Sequence, residues 1–126
     1  MIQAYFNQIK ALLDRYARAP FVLEATVMFD VRPGEQGYLS GSLTFSDRSV
    51  LYFREFLDSA GDVIEKVSYV YHYQDADHRL IFRYDNARHR SQRAREHKHV
   101  ADQAVDAPAP TLEAVLLEIT FIRGWV

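Results

Sequence analysis

The run Val63-Ile-Glu-Lys-Val-Ser-Tyr-Val-Tyr-His-Tyr-Gln74, the four residues Asp75-Ala-Asp-His78, and the run Arg79-Leu-Ile-Phe-Arg-Tyr-Asp85 decide the fold. Two β-branched and aromatic runs joined by a short polar connection predict an antiparallel hairpin. With Gln74 facing Arg79 across the tip, Tyr73 pairs with Leu80, Tyr71 with Phe82 and Tyr69 with Tyr84. The same register sets His72 opposite Ile81, Val70 opposite Arg83 and Ser68 opposite Asp85. Side chains alternate between faces along a strand. One face is therefore aromatic, and the other carries Lys66, Ser68, His72, Arg83 and Asp85. A one-residue slip in pairing would reshuffle these neighbours.

Working outward, Leu39, Gly41, Leu43 and Phe45 alternate with polar residues as in a half-buried strand. Further strands are expected over Phe21–Arg32 and Val50–Leu57, with turns at Pro33-Gly34, Ser46–Arg48 and Ser59–Asp62. Before the sheet, Ile2, Tyr5, Phe6, Ile9, Leu12, Leu13 and Tyr16 recur at helical spacing. Pro20 stops that helix, because the residue before a proline is pushed out of the helical region. At the other end Thr111 is an N-cap for a helix striped with Leu112, Val115, Leu116, Ile119 and Ile122, which Gly124 ends. The expectation is an α+β domain: an antiparallel meander of about five strands flanked by an N-terminal and a C-terminal helix. Residues 1–126 form one domain in this reading, with a helix over 1–19, sheet over 21–86, a basic His-rich stretch over 87–100, a connector over 101–110 and a helix over 111–123.

With 48% hydrophobic and 25% charged residues the chain has enough apolar material for a core, which excludes disorder throughout. It has no cysteine, so disulfides and thiolate metal sites are excluded. Charged residues interrupt the first twenty positions, and no apolar run approaches the ~20 residues of a membrane helix. A cytoplasmic protein without membrane contact is the expectation. The net charge of −2 conceals a segregation. Between Asn86 and His99 five cations (Arg88, Arg90, Arg93, Arg95 and Lys98) meet Glu96 alone, a net +4 that leaves −6 on the remainder. Such a stretch is either a docking surface for something anionic or a solvated loop.

Three groups of residues are candidates for chemistry. His72 has an ordinary pKa near 6.5, and it lies on the face that carries Arg83 and Asp85, a planar phosphate-binding donor and a carboxylate. Together they suit transfer at a phosphodiester; the alternative is a solvent-facing cross-strand ladder. His89, His97 and His99 lie in or beside the basic stretch, and an extended chain puts His97 and His99 on one side. With Asp85 or His89 they have the donor types for a metal such as zinc, although a basic neighbourhood opposes a cation. Tyr69, Tyr71, Tyr73 and Tyr84 have rings fit for stacking on bases, but Leu80 and Phe82 share their face, which reads as core. Gly41-Ser42 with Asp75 and Asp77 is not a nucleotidyltransferase signature, because the spacing is too long and the aspartates sit in a hairpin tip. No phosphate-cradling glycine loop or serine nucleophile motif occurs.

The run Tyr71-His-Tyr-Gln-Asp-Ala-Asp77, then Leu80-Ile-Phe-Arg-Tyr-Asp-Asn-Ala87 with His89, then His97-Lys-His99, resembles the TumE toxin family. Gly37-Tyr38, Phe53-Arg-Glu-Phe56 and Thr111-Leu-Glu113 extend the resemblance over nearly the whole chain. The resemblance implies a toxin encoded beside a small helix-turn-helix antitoxin that neutralises it and represses the operon. Three departures stand out. His78 occupies a place where the family commonly has glycine, Arg88 replaces a usual proline, and Arg95-Glu-His-Lys-His99 replaces Pro-His-His-Lys-His.

Joining the resemblance to the residues gives a type II toxin that cleaves RNA without a metal or other cofactor. In this reading His72 and one of His89, His97 or His99 share acid–base work. Arg83 and Lys98 hold the phosphate, and Asp85 orients a histidine. Arg88, Arg90, Arg93 and Arg95 bind RNA or the antitoxin, and a homodimer is a further open expectation. The alternatives are a non-enzymatic module that binds RNA or protein, and a metal-dependent hydrolase built on the histidines.

Overall fold

The computed structural model describes residues 1–86 and 96–125. His89 and the four arginines Arg88, Arg90, Arg93 and Arg95 therefore lie outside the described residues. The elements in chain order are α1 (Ile2–Ala17), β1 (Val22–Arg32), β2 (Gln36–Phe45), β3 (Val50–Ala60), β4 (Val63–Gln74), β5 (Leu80–Asp85), β6 (His97–Val100), β7 (Gln103–Asp106) and α2 (Leu112–Arg123). The strands form one sheet in sequential order, every neighbouring pair antiparallel.

Both helices cover one face. From α1, Ile2, Phe6, Ile9, Leu12 and Leu13 are buried, and from α2, Leu112, Val115, Leu116 and Ile119. They join a cluster with Leu39, Leu43, Leu51, Phe53, Tyr71, Tyr73 and Phe82 from the strands. A Cβ at Gly37 would stand 2.9 Å from both Ile2 Cγ2 and Phe6 Cζ, so glycine there seats α1 against β2. Local chemistry sets the ends of α2. Thr111 Oγ1 accepts the Ala114 amide at 3.0 Å, and Gly124 closes the helix in the left-handed region at φ 71°.

Three expectations about the sheet are corrected. The β4–β5 register places Tyr73 opposite Phe82, Tyr71 opposite Tyr84, His72 opposite Arg83 and Val70 opposite Asp85, with Gln74 opposite Leu80. At the tip the pairing moves by one, which sets Leu80 opposite Gln74 on the open side and not opposite Tyr73; the bulge at Ile81 adds a second residue, so Phe82, Arg83, Tyr84 and Asp85 keep their expected faces. A second bulge, at Val67 between the Phe56–Ser68 and Leu57–Lys66 pairs, turns Lys66 onto the helix-covered face. The end of the expected basic stretch, His97–Val100, and part of the expected connector, Gln103–Asp106, form instead the hairpin β6–β7, which pairs with β5 and brings the sheet to seven strands among the described residues.

The tip of the β4–β5 hairpin is built by its own side chains. Asp75 Oδ1 accepts the amides of Asp77 and Arg79, each at 2.9 Å. His78, standing where the TumE pattern has glycine, has φ 66°. That left-handed conformation is one glycine adopts without cost and histidine adopts less readily.

A candidate active face on the open side of the sheet

On the side opposite the helices, register alone assembles two adjacent cross-strand rows. One runs Thr26, Ser42, Tyr52, His72, Arg83, His99, Ala104, each residue paired with the next. The second runs Met28, Ser40, Arg54, Val70, Asp85, His97, Asp106. Neighbouring strands lie about 4.8 Å apart, so His72 and His99, two strands apart, flank Arg83 on either side at roughly 10 Å from one another.

Arg83 is the hub of this array. Its Nη1 donates to His72 Nδ1 at 3.2 Å and its Nε to Asp85 Oδ2 at 2.9 Å. An arginine can only donate, so Nδ1 of a neutral His72 is the acceptor and its proton sits on Nε2. That nitrogen donates to Gln74 Oε1 at 3.1 Å, and Gln74 Nε2 donates to His78 Nδ1 at 3.0 Å. Burial lowers the pKa of His72 below its ordinary 6.5, and the Arg83 charge lowers it further, against a smaller opposing pull from Gln74. The ring is thereby kept neutral and able to accept a proton.

Asp85 is 4% exposed and holds the corner beyond Arg83. Its Oδ2 lies 3.4 Å from His99 Nε2 and its Oδ1 3.8 Å from His97 Nδ1. Donor atoms of Asp85, His97 and His99 all fall within 4.8 Å of one another, and these types of donor suit a transition metal. The Arg83 guanidinium already supplies a positive charge against this carboxylate, which opposes a second cation there.

Concavities open on this face among the described residues. One of about 650 Å³ lies over β1–β5 and includes Tyr52, Arg54, His72 and Arg83 in its lining. A smaller one of about 380 Å³ lies over Arg83, Asp85, His99 and Ala104. Arg83 belongs to both.

Of the residues singled out in the sequence, His72, Arg83, Asp85, His97 and His99 thus come together. Lys98 does not join them. It points to the helix side, where its Nζ meets Glu118 Oε2 at 2.6 Å and stands 4.9 Å over the Tyr84 ring. Burial works against its charge, but the hydrogen bonds to Glu118 and Tyr84 outweigh that and raise its pKa. Tyr69, Tyr71 and Tyr73 are buried on the helix side, where the alternation put them.

Two sets of residues were missed. Tyr52, Arg54 and Ser42 lie on the open face because β3 pairs with β4 and β2 with β3. A strand alternation in Val50–Leu57 was the available signal, and it identifies a face only once the pairing is known. The second set is buried. Glu55, 0% exposed, accepts a hydrogen bond from Tyr5 Oη at 2.5 Å and another from Tyr71 Oη, with Lys66 Nζ 3.9 Å away. Lys66 also donates to Tyr71 Oη at 2.7 Å and to the Pro110 carbonyl at 2.5 Å. Burial, then Glu55, raises the pKa of Tyr5 and Tyr71, while burial lowers that of Lys66 against the pull of Glu55. A lone glutamate in an apolar run gave no sign of partners drawn from α1 and the bulged part of β4.

Among the described residues no helix is long and apolar enough to cross a membrane. No curated protein and no solved structure matches the chain. The model of the family described as Toxin TumE matches residues 9–125, nearly the whole length. The chain therefore belongs to the TumE family, and the family name makes it a toxin of a toxin–antitoxin system.

Proposed function

We propose that this toxin, acting as a single domain in the cytoplasm, cleaves RNA without a metal, and that a helix-turn-helix antitoxin neutralises it in a type II system. The observation that carries the reading is the row His72, Arg83, His99: two histidines on either side of an arginine, on the open face of the sheet. A phosphodiester seated on Arg83 draws the guanidinium away from His72 and frees Nδ1. That nitrogen then takes the proton of the ribose 2′-hydroxyl as its oxygen attacks phosphorus. The bond from phosphorus to the 5′-oxygen breaks. A doubly protonated His99, held through Nε2 by Asp85, gives its other ring proton to the leaving oxygen. The products are a 2′,3′-cyclic phosphate and a 5′-hydroxyl end, with Arg83 meeting the charge that grows on the phosphoryl oxygens.

The test is incubation of purified toxin with total RNA in the presence of a chelator, followed by chemical mapping of the new ends. Cyclic phosphate ends, a bell-shaped dependence of rate on pH, and loss of cleavage in His72→Ala are the expected results. Toxicity with every RNA left intact would favour a binder that blocks its target. Cleavage abolished by the chelator would favour a hydrolase with a metal on Asp85, His97 and His99.

A further inference from the structure

The larger concavity is more than the approach to His72. Among the described residues its lining contains Arg54 and Arg83 and no carboxylate, although the chain as a whole carries a net charge of −2. Across the sheet from His72 stands Tyr52, 48% exposed, its ring centroid 6.5 Å from that of the histidine. An aromatic ring of that exposure on a strand contributes little to the core, which is built entirely on the other face. Beyond Tyr52 in the same row, Ser42 and Thr26 share a hydrogen bond of 3.1 Å between their hydroxyls. Hydroxyls that bond one another keep capacity to donate to, or accept from, a polar edge laid over them. Farther along, the Arg32 guanidinium lies over Tyr38 and Phe56, at 5.3 and 5.7 Å from the ring centroids, and is paired with Asp30 Oδ2 at 3.2 Å, so it extends the row of rings without adding an unpaired cation.

A sheet face that sets an exposed ring, Tyr52, between arginines is an arrangement that holds single-stranded nucleic acid. The cations track the phosphates, and the rings take the faces of splayed bases. We infer that this concavity is a subsite for single-stranded RNA lying across the strands, with one base stacked on Tyr52 next to the phosphate on Arg83. The inference deepens the reading of the toxin as an RNA-cleaving protein and rests on that reading for the chemical step after binding. A duplex is excluded as occupant because its base faces are already stacked on one another. A base on Tyr52 also fixes the position of its own sugar, and so places one 2′-hydroxyl within reach of His72.

Binding can be tested apart from cleavage with a short 2′-O-methyl oligonucleotide, which has no 2′-hydroxyl to attack. In Tyr52→Trp the new indole should be quenched by the single strand, while the parent, whose one tryptophan Trp125 stacks on Phe21, changes little. Tyr52→Ala should weaken binding about tenfold and Tyr52→Phe should bind like the parent, as loss and retention of one stacked base require. Annealing the oligonucleotide to its complement should abolish binding. Unchanged affinity in Tyr52→Ala, equal affinity for the duplex, or quenching of Tyr52→Trp by the antitoxin but not by the oligonucleotide would each overturn the subsite. If the subsite behaves as expected and natural RNA is still not cut, it stands and the proposed cleavage falls.

Discussion

The sheet carries a polar cluster on each of its sides, β4 contributes to both, and the two clusters contain similar chemistry. The inner one has a carboxylate, a lysine and two tyrosines: Glu55, Lys66, Tyr5 and Tyr71. The outer one has a carboxylate, an arginine and imidazoles: Asp85, Arg83, His72 and His99. What separates them is where each group's partners lie. Glu55 is fully buried under α1, and its acceptors are spent on hydroxyls of the protein itself. His72 and Arg83 border a concavity, where an incoming phosphate can replace their present bond. A buried charge with all its partners internal favours one folded structure, and a half-buried charge facing an open groove is available for a ligand.

The largest expected effect is on the inner side. Glu55→Ala removes the acceptor of the Tyr5 and Tyr71 hydroxyls and the carboxylate beside Lys66, and should cost about 3–5 kcal/mol of stability, as breaking a buried pair does. A typical domain has only about 5–15 kcal/mol in total, so urea melts should shift strongly or the variant should not fold. A loss below about 1 kcal/mol would mean that the inner cluster tolerates an opening like the outer one, and the comparison would break.

His72→Ala tests the other side. Removing a general base should slow RNA cleavage by about 10²–10⁴-fold. Stability should change by no more than about 1 kcal/mol, since the ring is only part-buried and its partners can turn to water. A variant that loses its fold along with its activity would place His72 with Glu55 as a structural residue.

How far the sequence reveals this division depends on the element. Alternation along Tyr69–Tyr73 and Leu80–Tyr84 was enough to put those rings in the core and His72, Arg83 and Asp85 on the far side. Those residues kept their faces because a register displaced by two preserves alternation, whereas Leu80, displaced by one ahead of the bulge, changed face. The bulge at Val67 has no such protection: one extra residue reversed Lys66, and nothing in Glu65-Lys-Val-Ser68 announces it. β6 and β7 are four residues each and too polar to alternate visibly. They become strands because β5 offers an edge to pair with. Tyr52 and Arg54 could not be assigned to the site before the order of strands was known.

Lys98 sharpens the comparison, because it sits between His97 and His99 in sequence and on the opposite face in space. Lys98→Met keeps the length of the side chain and removes the ion pair with Glu118. Stability should fall by about 1 kcal/mol, the scale of a partly exposed pair. RNA cleavage should stay within about twofold of the parent, measured beside a His99→Ala control that loses most of its rate. A large drop in cleavage for Lys98→Met at unchanged stability would show that the lysine reaches phosphate after all.

The smallest effect is a displaced titration, read from the His72 ring by NMR. In the parent its pKa lies below 6.5, because of burial first and the Arg83 charge second. Arg83→Gln removes the second cause and leaves the first, so the midpoint should move up. The consequence for stability has a definite sign. As pH falls below about 6.5, the unfolded chain takes up a proton that folded His72 refuses, so its contribution to stability declines down to the folded pKa. In Arg83→Gln that window narrows from its acid side, and the decline should shrink. The same proton governs catalysis: cleavage needs the neutral ring, so the acid limb of the parent's pH profile should track the NMR midpoint below 6.5. Glu55→Gln, on the inner face, should leave the midpoint of His72 where it is. A midpoint that moves with Glu55 and not with Arg83 would mean that the sheet does not insulate its two faces from one another.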